Sequence, residues 1–280
     1  MKNISRAAWM LVIALVLSGT AAFAQENLVL PDENSEWRPG VAFVLDYGSR
    51  YLYKGEVWNP DRVLQADLCL SLNGFYAGVW TCYDFTDANG YDNEPEEWDY
   101  YLGYEYQFKD IPLVDSITIG LGWIYFDYPR AAAWDTQELN LGVMLEDVLL
   151  SPKMIVNWDY ENDTWWIEAG VSHEMPVEFI SEKLLFGTSL DLIWGNTRWN
   201  GYVDEDEGPG VDKDSDAYKN ALISAVLVTD LKYQITENIA FGPYMIVAWA
   251  LDHDMREKFR ANDINNDCNF VWGVKLNMAF

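Results

Sequence analysis

Alternation of apolar and polar residues with a period of two is the feature that most restricts how this chain can fold. Between Val41 and Phe280 no segment keeps the 3.6-residue period of an amphipathic helix, but twelve stretches alternate as β-strands do. Most are close to the roughly 9–11 residues with which a tilted strand crosses a bilayer. The stretches are residues 41–54, 63–72, 75–85, 97–108, 116–127, 136–146, 153–160, 164–174, 184–196, 219–233, 239–252 and 269–280.

The two faces of these stretches differ in charge. The more apolar face carries no Asp, Glu, Lys or Arg at its central positions, although charged residues make up 22% of the chain. In a membrane barrel the outer face meets lipid and the inner face is polar, so we assign the charged face to the interior. The candidate pore-lining residues on that face are Asp46, Arg50, Lys54, Asp67, Asp84, Asp99, Glu105, Glu138, Asp159, Glu168, Asp191, Asp230, Lys232, Asp252 and Lys275.

A soluble β-sandwich also alternates, so the choice between sandwich and barrel rests on further features. The chain ends in alternating apolar residues, from Trp272 to the terminal Phe280, which resembles the carboxy-terminal insertion signal of bacterial outer-membrane barrels. From it we expect Phe280 to engage the barrel-assembly machinery. Tight turns, Asn73-Gly74 and Glu237-Asn238, alternate with longer connections at residues 86–96, 201–218 and 253–267. This asymmetry is typical of outer-membrane barrels, whose outer loops are the longer ones. It is imperfect, because the expected inner connections at residues 109–115 and 175–183 are of moderate length and the outer one at residues 161–163 is short.

Aromatic residues collect at one end of the predicted outer face, where a membrane interface favours amphipathic rings. A sandwich has no reason to place them there. Together these features predict an all-β fold, a transmembrane up-and-down antiparallel barrel of twelve strands. The predicted aromatic girdle consists of Tyr51, Tyr53, Tyr83, Phe85, Trp98, Tyr100, Trp123, Tyr125, Trp158, Tyr160, Trp165, Trp194, Trp249, Phe270 and Trp272.

The amino terminus has the pattern of an export signal. Lys2 and Arg6 precede an apolar run that ends at Leu17, and Ala22-Phe23-Ala24 offers a site for signal peptidase. The alternative, a retained membrane helix, requires roughly 20 apolar residues and the run is shorter. We therefore predict a signal peptide at residues 1–24, an N-terminal periplasmic segment at residues 25–39 and an outer-membrane barrel at residues 40–280. Residues 25–39 are also open to a second interpretation, a plug inside the barrel.

Two local expectations follow from hairpin geometry. A two-residue turn at Asn73-Gly74 pairs Cys69 with Gly78 and Cys82 with Gln65, which places the two cysteines too far apart for a disulfide. Pro243 cannot donate a ladder hydrogen bond, so we expect a bulge near the inner end of its strand.

Charge and the scarcity of catalytic motifs exclude several functions. With 45 acidic against 18 basic side chains and a net charge of -27, the chain does not suit a nucleic-acid partner. Neither His173 nor His253 belongs to a metal or nucleophile motif, so we predict no enzyme activity, no cofactor and no metal site. The acidic loop around residues 204–216 is most simply a solvated surface. A second hypothesis is that divalent cations bridge this loop to lipopolysaccharide.

Several segments resemble the TorF (Gcw_chp) family of porins. They are the stretch from Asp46 to Gly55, then Gly74-Phe75-Tyr76-Ala77-Gly78-Val79-Trp80, Glu97 to Tyr104, and Tyr125-Phe126-Asp127-Tyr128-Pro129. The resemblance is clear over residues 40–135 and faint beyond. It departs from the family at Gly55-Glu56-Val57-Trp58, where a Gly-Xaa-Ser-Gln stretch is usual, and at Arg130, where a Gly is usual. The resemblance implies an exported outer-membrane barrel with transport activity and brings no catalytic residues with it.

The predicted interior holds eleven acidic and four basic residues, so a pore lined by them favours cations over anions. A barrel of twelve strands is intermediate in width between eight-stranded barrels, whose interior is filled by side chains, and the largest barrels, which enclose a water-filled channel. We therefore predict a narrow, cation-preferring porin for small solutes, in contact with outer-membrane lipids and lipopolysaccharide. The alternative is a non-conducting structural or binding barrel that contacts divalent cations or surface polymers through its acidic outer loops.

Overall fold

A computed structural model describes residues 39–86, 94–112, 114–131, 134–146, 148–205, 208–211, 216–261 and 265–280. The predicted signal peptide, residues 25–38 and residues 206–207 and 212–215 of the acidic loop lie outside the described residues. No helix in the described part of the chain is both long enough and apolar enough to cross a membrane.

The described part of the chain consists mostly of strands. They are β1 (Gly40–Gly48), β2 (Tyr51–Tyr53), β3 (Glu56–Asn59), β4 (Val63–Leu72), β5 (Phe75–Asp84), β6 (Pro95–Ile111), β7 (Val114–Asp127), β8 (Thr136–Glu146), β9 (Lys153–Asp159), β10 (Thr164–Pro176), β11 (Leu184–Gly195), β12 (Tyr202–Glu205), β13 (Gly208–Val211), β14 (Ala221–Thr236), β15 (Ile239–Ala250) and β16 (Cys268–Ala279). Two short helices, α1 (Thr197–Asn200) and α2 (His253–Ala261), lie in the connections.

Twelve of these strands form one closed antiparallel barrel, which confirms the predicted fold. Each barrel strand pairs with its neighbour in sequence, and β1 pairs with β16 to close the ring, in the order β1-β16-β15-β14-β11-β10-β9-β8-β7-β6-β5-β4. At the seam the Val41 N–H donates to the Phe280 carbonyl and the Phe280 N–H donates to that of Val41, each at 2.9 Å. Strands β2 and β3 form one separate hairpin, and β12 and β13 form another.

The hairpin between β4 and β5 has the predicted register. Asn73 and Gly74 have φ values of 51° and 83°, the two positive angles of the turn that matches strand twist. Cys69 therefore pairs with Gly78 and Gln65 with Cys82. Because β1 begins and β16 ends at this side, we call it the turn end of the barrel, and the opposite side, with the longer connections, the loop end.

The outward face of the barrel is apolar around its circumference. Large side chains such as Leu70, Phe75, Leu121 and Trp272 are more than half exposed. An exposed apolar surface that encircles a closed barrel is what contact with lipid requires. Most of the predicted aromatic girdle lies on this face near the loop end, where Trp158 stacks on Trp165 at 5.1 Å between ring centres.

Pro243 is accommodated by a local gap in the ladder. Asp230 pairs with Tyr244 and Tyr233 pairs with Phe241, but the two intervening residues on each strand are not paired. A register shift follows at once, between Gln234 and Thr236 on the neighbouring strand β14. A bulge thus exists near the turn end, but it lies on β14 and not on the strand of Pro243, where it was expected.

The first predicted stretch, residues 41–54, is wrong at its second half. β1 ends at Gly48, and residues 51–59 leave the barrel wall as the separate hairpin β2–β3. Tyr51 and Tyr53, predicted for the lipid-facing girdle, are 2% and 5% exposed and belong to an apolar cluster with Trp80 and Tyr101. They lie inside the barrel because the hairpin that carries them turns inward.

Candidate functional site

The hairpin of residues 51–59, here called the lumen hairpin, occupies the interior of the barrel at its loop end. Its turn is Lys54-Gly55, with φ values of 52° and 94°, so it has the same two-residue geometry as the turn at Asn73-Gly74. Tyr51, Leu52 and Tyr53 are all buried, although successive residues of a strand point to opposite sides. A strand that is buried on both faces is surrounded by protein, which is the case for a segment inside a barrel.

Contacts of the lumen hairpin reach strands from all parts of the ring. The ring of Tyr51 lies 5.6 Å from that of Trp80 on β5. The Ser224 hydroxyl on β14 donates to the Lys54 carbonyl at 2.8 Å. The amide of Asn269 on β16 donates to the Gly55 carbonyl at 3.1 Å. β14 and β16 flank β15, whereas β5 lies five positions from β14 in the ring, so the hairpin lies across the bore.

One loop residue holds the second strand of the hairpin with two hydrogen bonds. The side chain of Asn265 accepts from the Val57 N–H at 2.7 Å and donates to the Val57 carbonyl at 3.1 Å. The amide of Asn269 also donates to Asn265 at 3.2 Å. Asn265 thus takes the place of a neighbouring strand for Val57, and side chains satisfy backbone groups that would otherwise be buried without partners.

Apolar side chains seal the lumen hairpin from the loop end. Leu52 and Val57 belong to a buried cluster with Met255 and Phe259 of α2, whose side chains are 1% and 0% exposed. Trp199 of α1 packs against the same cluster. Helix α2 therefore covers the hairpin at the loop end of the bore.

The ammonium group of Lys54 lies in a cage of aromatic rings. Its Nζ is 3.5 Å from the ring centre of Trp166, 4.1 Å from that of Trp199 and 4.2 Å from that of Tyr53. The Glu138 carboxylate lies 3.8 Å away and accepts a 2.7 Å hydrogen bond from the Trp166 indole. Burial lowers the pKa of Lys54 to about 7, against the attraction of nearby carboxylates, of which Glu138 contributes most.

Other predicted lining residues form ion pairs and hydrogen bonds inside the barrel. Asp46 lies 3.2 Å from Lys275 and accepts from the Tyr244 hydroxyl at 2.7 Å. Asp67 accepts from the Tyr101 hydroxyl at 2.7 Å. Lys232 lies 3.3 Å from Asp230. Four further predicted residues, Asp99, Glu105, Glu168 and Asp191, also face the interior as parts of β6, β10 and β11 and are buried or half-buried.

The remaining predicted residues lie at strand ends or just beyond them, and Asp252 forms an ion pair with Lys219 at 2.9 Å. Asp84 accepts from the Thr86 N–H at 2.7 Å, and Asp159 accepts from the N–H groups of Glu161 and Asn162, each at 3.0 Å. Two others lie beyond their strands. Arg50 follows the end of β1, and Asp252 precedes α2, where it accepts from the Asp254 N–H at 2.9 Å.

Four buried charged residues have interior parity but were not among the predicted set. Lys153 pairs with Glu168 at 2.7 Å and with Asp191 at 3.2 Å. Glu174 pairs with Lys232 at 2.7 Å, and Glu146 accepts from the Thr118 hydroxyl at 2.6 Å. Glu97 accepts from the Tyr128 hydroxyl at 3.0 Å. Continuing the alternation to the first or last residue of each predicted stretch identifies all four.

Clusters of three or more His, Cys, Asp or Glu side chains able to hold a metal ion do not occur among the described residues. The acidic loop is described only in part, so the hypothesis of a cation bridge to lipopolysaccharide falls largely outside the described residues.

Comparisons with known proteins find structural similarity at low sequence identity. No protein-family model matches it, and no curated protein matches it. Among solved structures, it is similar to an outer membrane channel from Pseudomonas putida F1, with 11% identity and a TM-score of 0.49 over 89% of this chain and 99% of that chain. It is also similar to the NanC porin, with 11% identity and a TM-score of 0.46 over 84% of this chain and 98% of that chain.

Proposed function

We propose that this protein is an outer-membrane channel for small solutes, and that the lumen hairpin closes it in the state described above. The observation that carries the proposal is a hairpin held across the bore of a lipid-compatible barrel mainly by side chains. Such a plug can leave without breaking the ladder that holds the barrel together, because its backbone groups bond to Ser224, Asn265 and Asn269.

The location follows from the same features. The closed apolar surface fits a bilayer, and single-chain barrels of this kind occur in the bacterial outer membrane. The export signal predicted at residues 1–24 and the aromatic carboxy terminus at Phe280 support this location, with lipids and lipopolysaccharide as neighbours and the barrel-assembly machinery as partner. Membership of the TorF family rests on the sequence resemblance alone.

Cation preference is the second part of the proposal. The predicted lining set has eleven acidic and four basic residues, and the four residues added by the structure are three glutamates and one lysine. Charges that line a narrow bore act on a passing ion within the screening length of roughly 8 Å at physiological salt. Once the hairpin is displaced, the surplus of carboxylates favours cations over anions.

One loop replacement tests the channel directly. Gly48 pairs with Val63, so residues 49–62 can be replaced by a two-residue Asn-Gly turn without a change in the ladder. Both the full chain and this variant are purified from the outer membrane of a Gram-negative host and placed in planar bilayers with a potassium chloride gradient. We expect large cation-selective steps from the variant and rare or small ones from the parent.

The outcomes separate the parts of the proposal. Chloride preference in the variant contradicts cation selectivity and leaves the channel intact. A variant that inserts with heat-modifiable gel mobility but never conducts contradicts the channel itself. That result favours the second candidate, a non-conducting binding barrel.

The second candidate is supported by the filled loop end. Because the hairpin and α2 occupy the bore there, a partner would reach the outer surface of the loops and not the interior. Under it, the acidic loop contacts divalent cations or surface polymers. Its test is the thermal stability of the purified barrel, measured once with millimolar calcium and once with chelator. If cations bind to the loop, the transition temperature differs between the two conditions.

A further inference from the structure

The cage around Lys54 has the chemistry of a binding site for an organic cation. We propose that Trp166, Trp199 and Glu138 form a site for small primary alkylammonium ions, and that Lys54 occupies it as an internal competitor while the lumen hairpin is docked. The inference rests on the proposed channel function and names the class of solute that the channel would favour.

The contacts of the ammonium group are those of cation recognition by aromatic rings. Its Nζ lies within 4.2 Å of three ring centres, inside the roughly 6 Å over which a cation is attracted to a ring face. The group is buried, and among the described residues no acceptor lies within hydrogen-bond geometry of it. Rings and the carboxylate of Glu138 therefore hold it, which is the way proteins bind alkylated ammonium groups.

Most of the cage belongs to the barrel and its connections. Trp166 lies on β10, Glu138 lies on β8 and Trp199 lies on α1, whereas only Tyr53 and Lys54 come from the hairpin. The indole of Trp166 donates a hydrogen bond to Glu138, so these two side chains fix each other's position. When the hairpin withdraws, the cage loses its ammonium and keeps two rings and the carboxylate, open to a cation in the bore.

The shape of the Lys54 side chain indicates which class of ligand fits the cage. The Lys54 side chain is a primary ammonium on an unbranched alkyl stem that is 2% exposed. Truncation of this side chain to alanine removes three carbons and the ammonium nitrogen, which are the heavy atoms of n-propylammonium. That ion is therefore the probe that fits the cage without further assumptions.

The first measurement is chemical rescue in the full-length Lys54→Ala variant. We expect a lower thermal transition than in the parent, raised again by millimolar n-propylammonium and not by 1-propanol, with at least about tenfold tighter binding of the ion. The matched control is Lys275→Ala, which removes the same atoms beside Asp46 but leaves one ring at 5.1 Å. Equal effects of ion and alcohol in Lys54→Ala, or equal rescue in the control, overturn the proposal.

The second measurement uses the conducting loop replacement, in which Lys54 is absent. We expect n-propylammonium to permeate or block more strongly than potassium at equal concentration, and Glu138→Gln in that background to reduce this preference at least about tenfold. Potassium currents without any preference for the alkylammonium ion refute the site and leave the channel standing. Rescue without any current refutes the channel and leaves the site standing.

Discussion

Substitution of Gly55 by alanine tests whether the lumen hairpin is a removable plug. Gly55 has a φ of +94°, and a Cβ built there would lie 2.5 Å from Oγ and 2.6 Å from Cβ of Ser224. The hydroxyl can rotate away, but the Cβ of Ser224 is fixed to the barrel wall on β14. The substitution therefore strains the turn and forces the hairpin away from the wall that accepts it.

The size of the effect follows from two contributions. A non-glycine residue at positive φ costs about 1–2 kcal/mol. Overpacking of a well-filled interior costs about 1–3 kcal/mol. Their sum, about 2–5 kcal/mol, weakens docking of the hairpin, and about 1.4 kcal/mol is tenfold in an equilibrium constant. The ratio of open to closed channels should rise by about 30-fold or more.

The assay is single-channel recording of the Gly55→Ala protein beside the parent, in the same bilayer and salt. The control is Gly74→Ala, at the equivalent position of the turn between β4 and β5. Its φ is +83°, and a Cβ there would lie 2.5 Å from the Glu105 carbonyl oxygen, so it is strained to a similar degree. We expect this control to lower thermal stability without raising the open fraction, because it lies at the turn end.

Two results would refute the reasoning. If Gly55→Ala folds and inserts but its open fraction stays within about threefold of the parent, the hairpin does not control access to the bore. If Gly74→Ala opens the channel as often as Gly55→Ala does, the openings come from a loosened barrel and not from a released plug.

Two further results are expected. Asn265→Ala leaves the N–H and carbonyl of Val57 without their side-chain partner, so docking weakens by about 2–4 kcal/mol and the open fraction rises in the same recordings. Phe280→Ala should reduce the amount of barrel found in the outer-membrane fraction, as quantified by heat-modifiable gel mobility; an undiminished amount removes the role assigned to the terminal aromatic residue.

Alternation predicts the barrel wall well because the two sides of that wall have different solvents. On β4 and β5 one parity meets lipid and the other the interior, and Asn73-Gly74 fixes which residues pair. Strand ends are less certain, because the contrast fades where the wall leaves the membrane. β6 ends at Ile111 and β7 begins at Val114. Most of residues 109–115, where an inner connection is expected, therefore belongs to strands.

The interior site is predicted only in part, since parity shows which side chains face inward and not which ones meet. The pairing of Lys153 with Glu168 and Asp191 joins β9, β10 and β11 across one patch of wall, within reach of adjacent-strand reasoning. The Lys54 cage joins β8, β10 and α1 to a segment between β1 and β4. No pattern within one strand encodes a contact between parts of the chain that meet only through the bore.

The lumen hairpin escapes sequence reasoning for a specific physical reason. The parity rule assigns one face of each strand to lipid, so it places Tyr51 and Tyr53 on the outside with the other aromatic residues. Inside a barrel both faces of a strand meet protein, and Leu52 between them is buried as well. The local signal is Lys54-Gly55, which has the geometry of a tight turn and lies at the end of the predicted stretch 41–54. An aromatic strand that turns back within the predicted span of a barrel wall therefore indicates an inserted segment, and in this chain that segment brings the one lysine that the aromatic cage encloses.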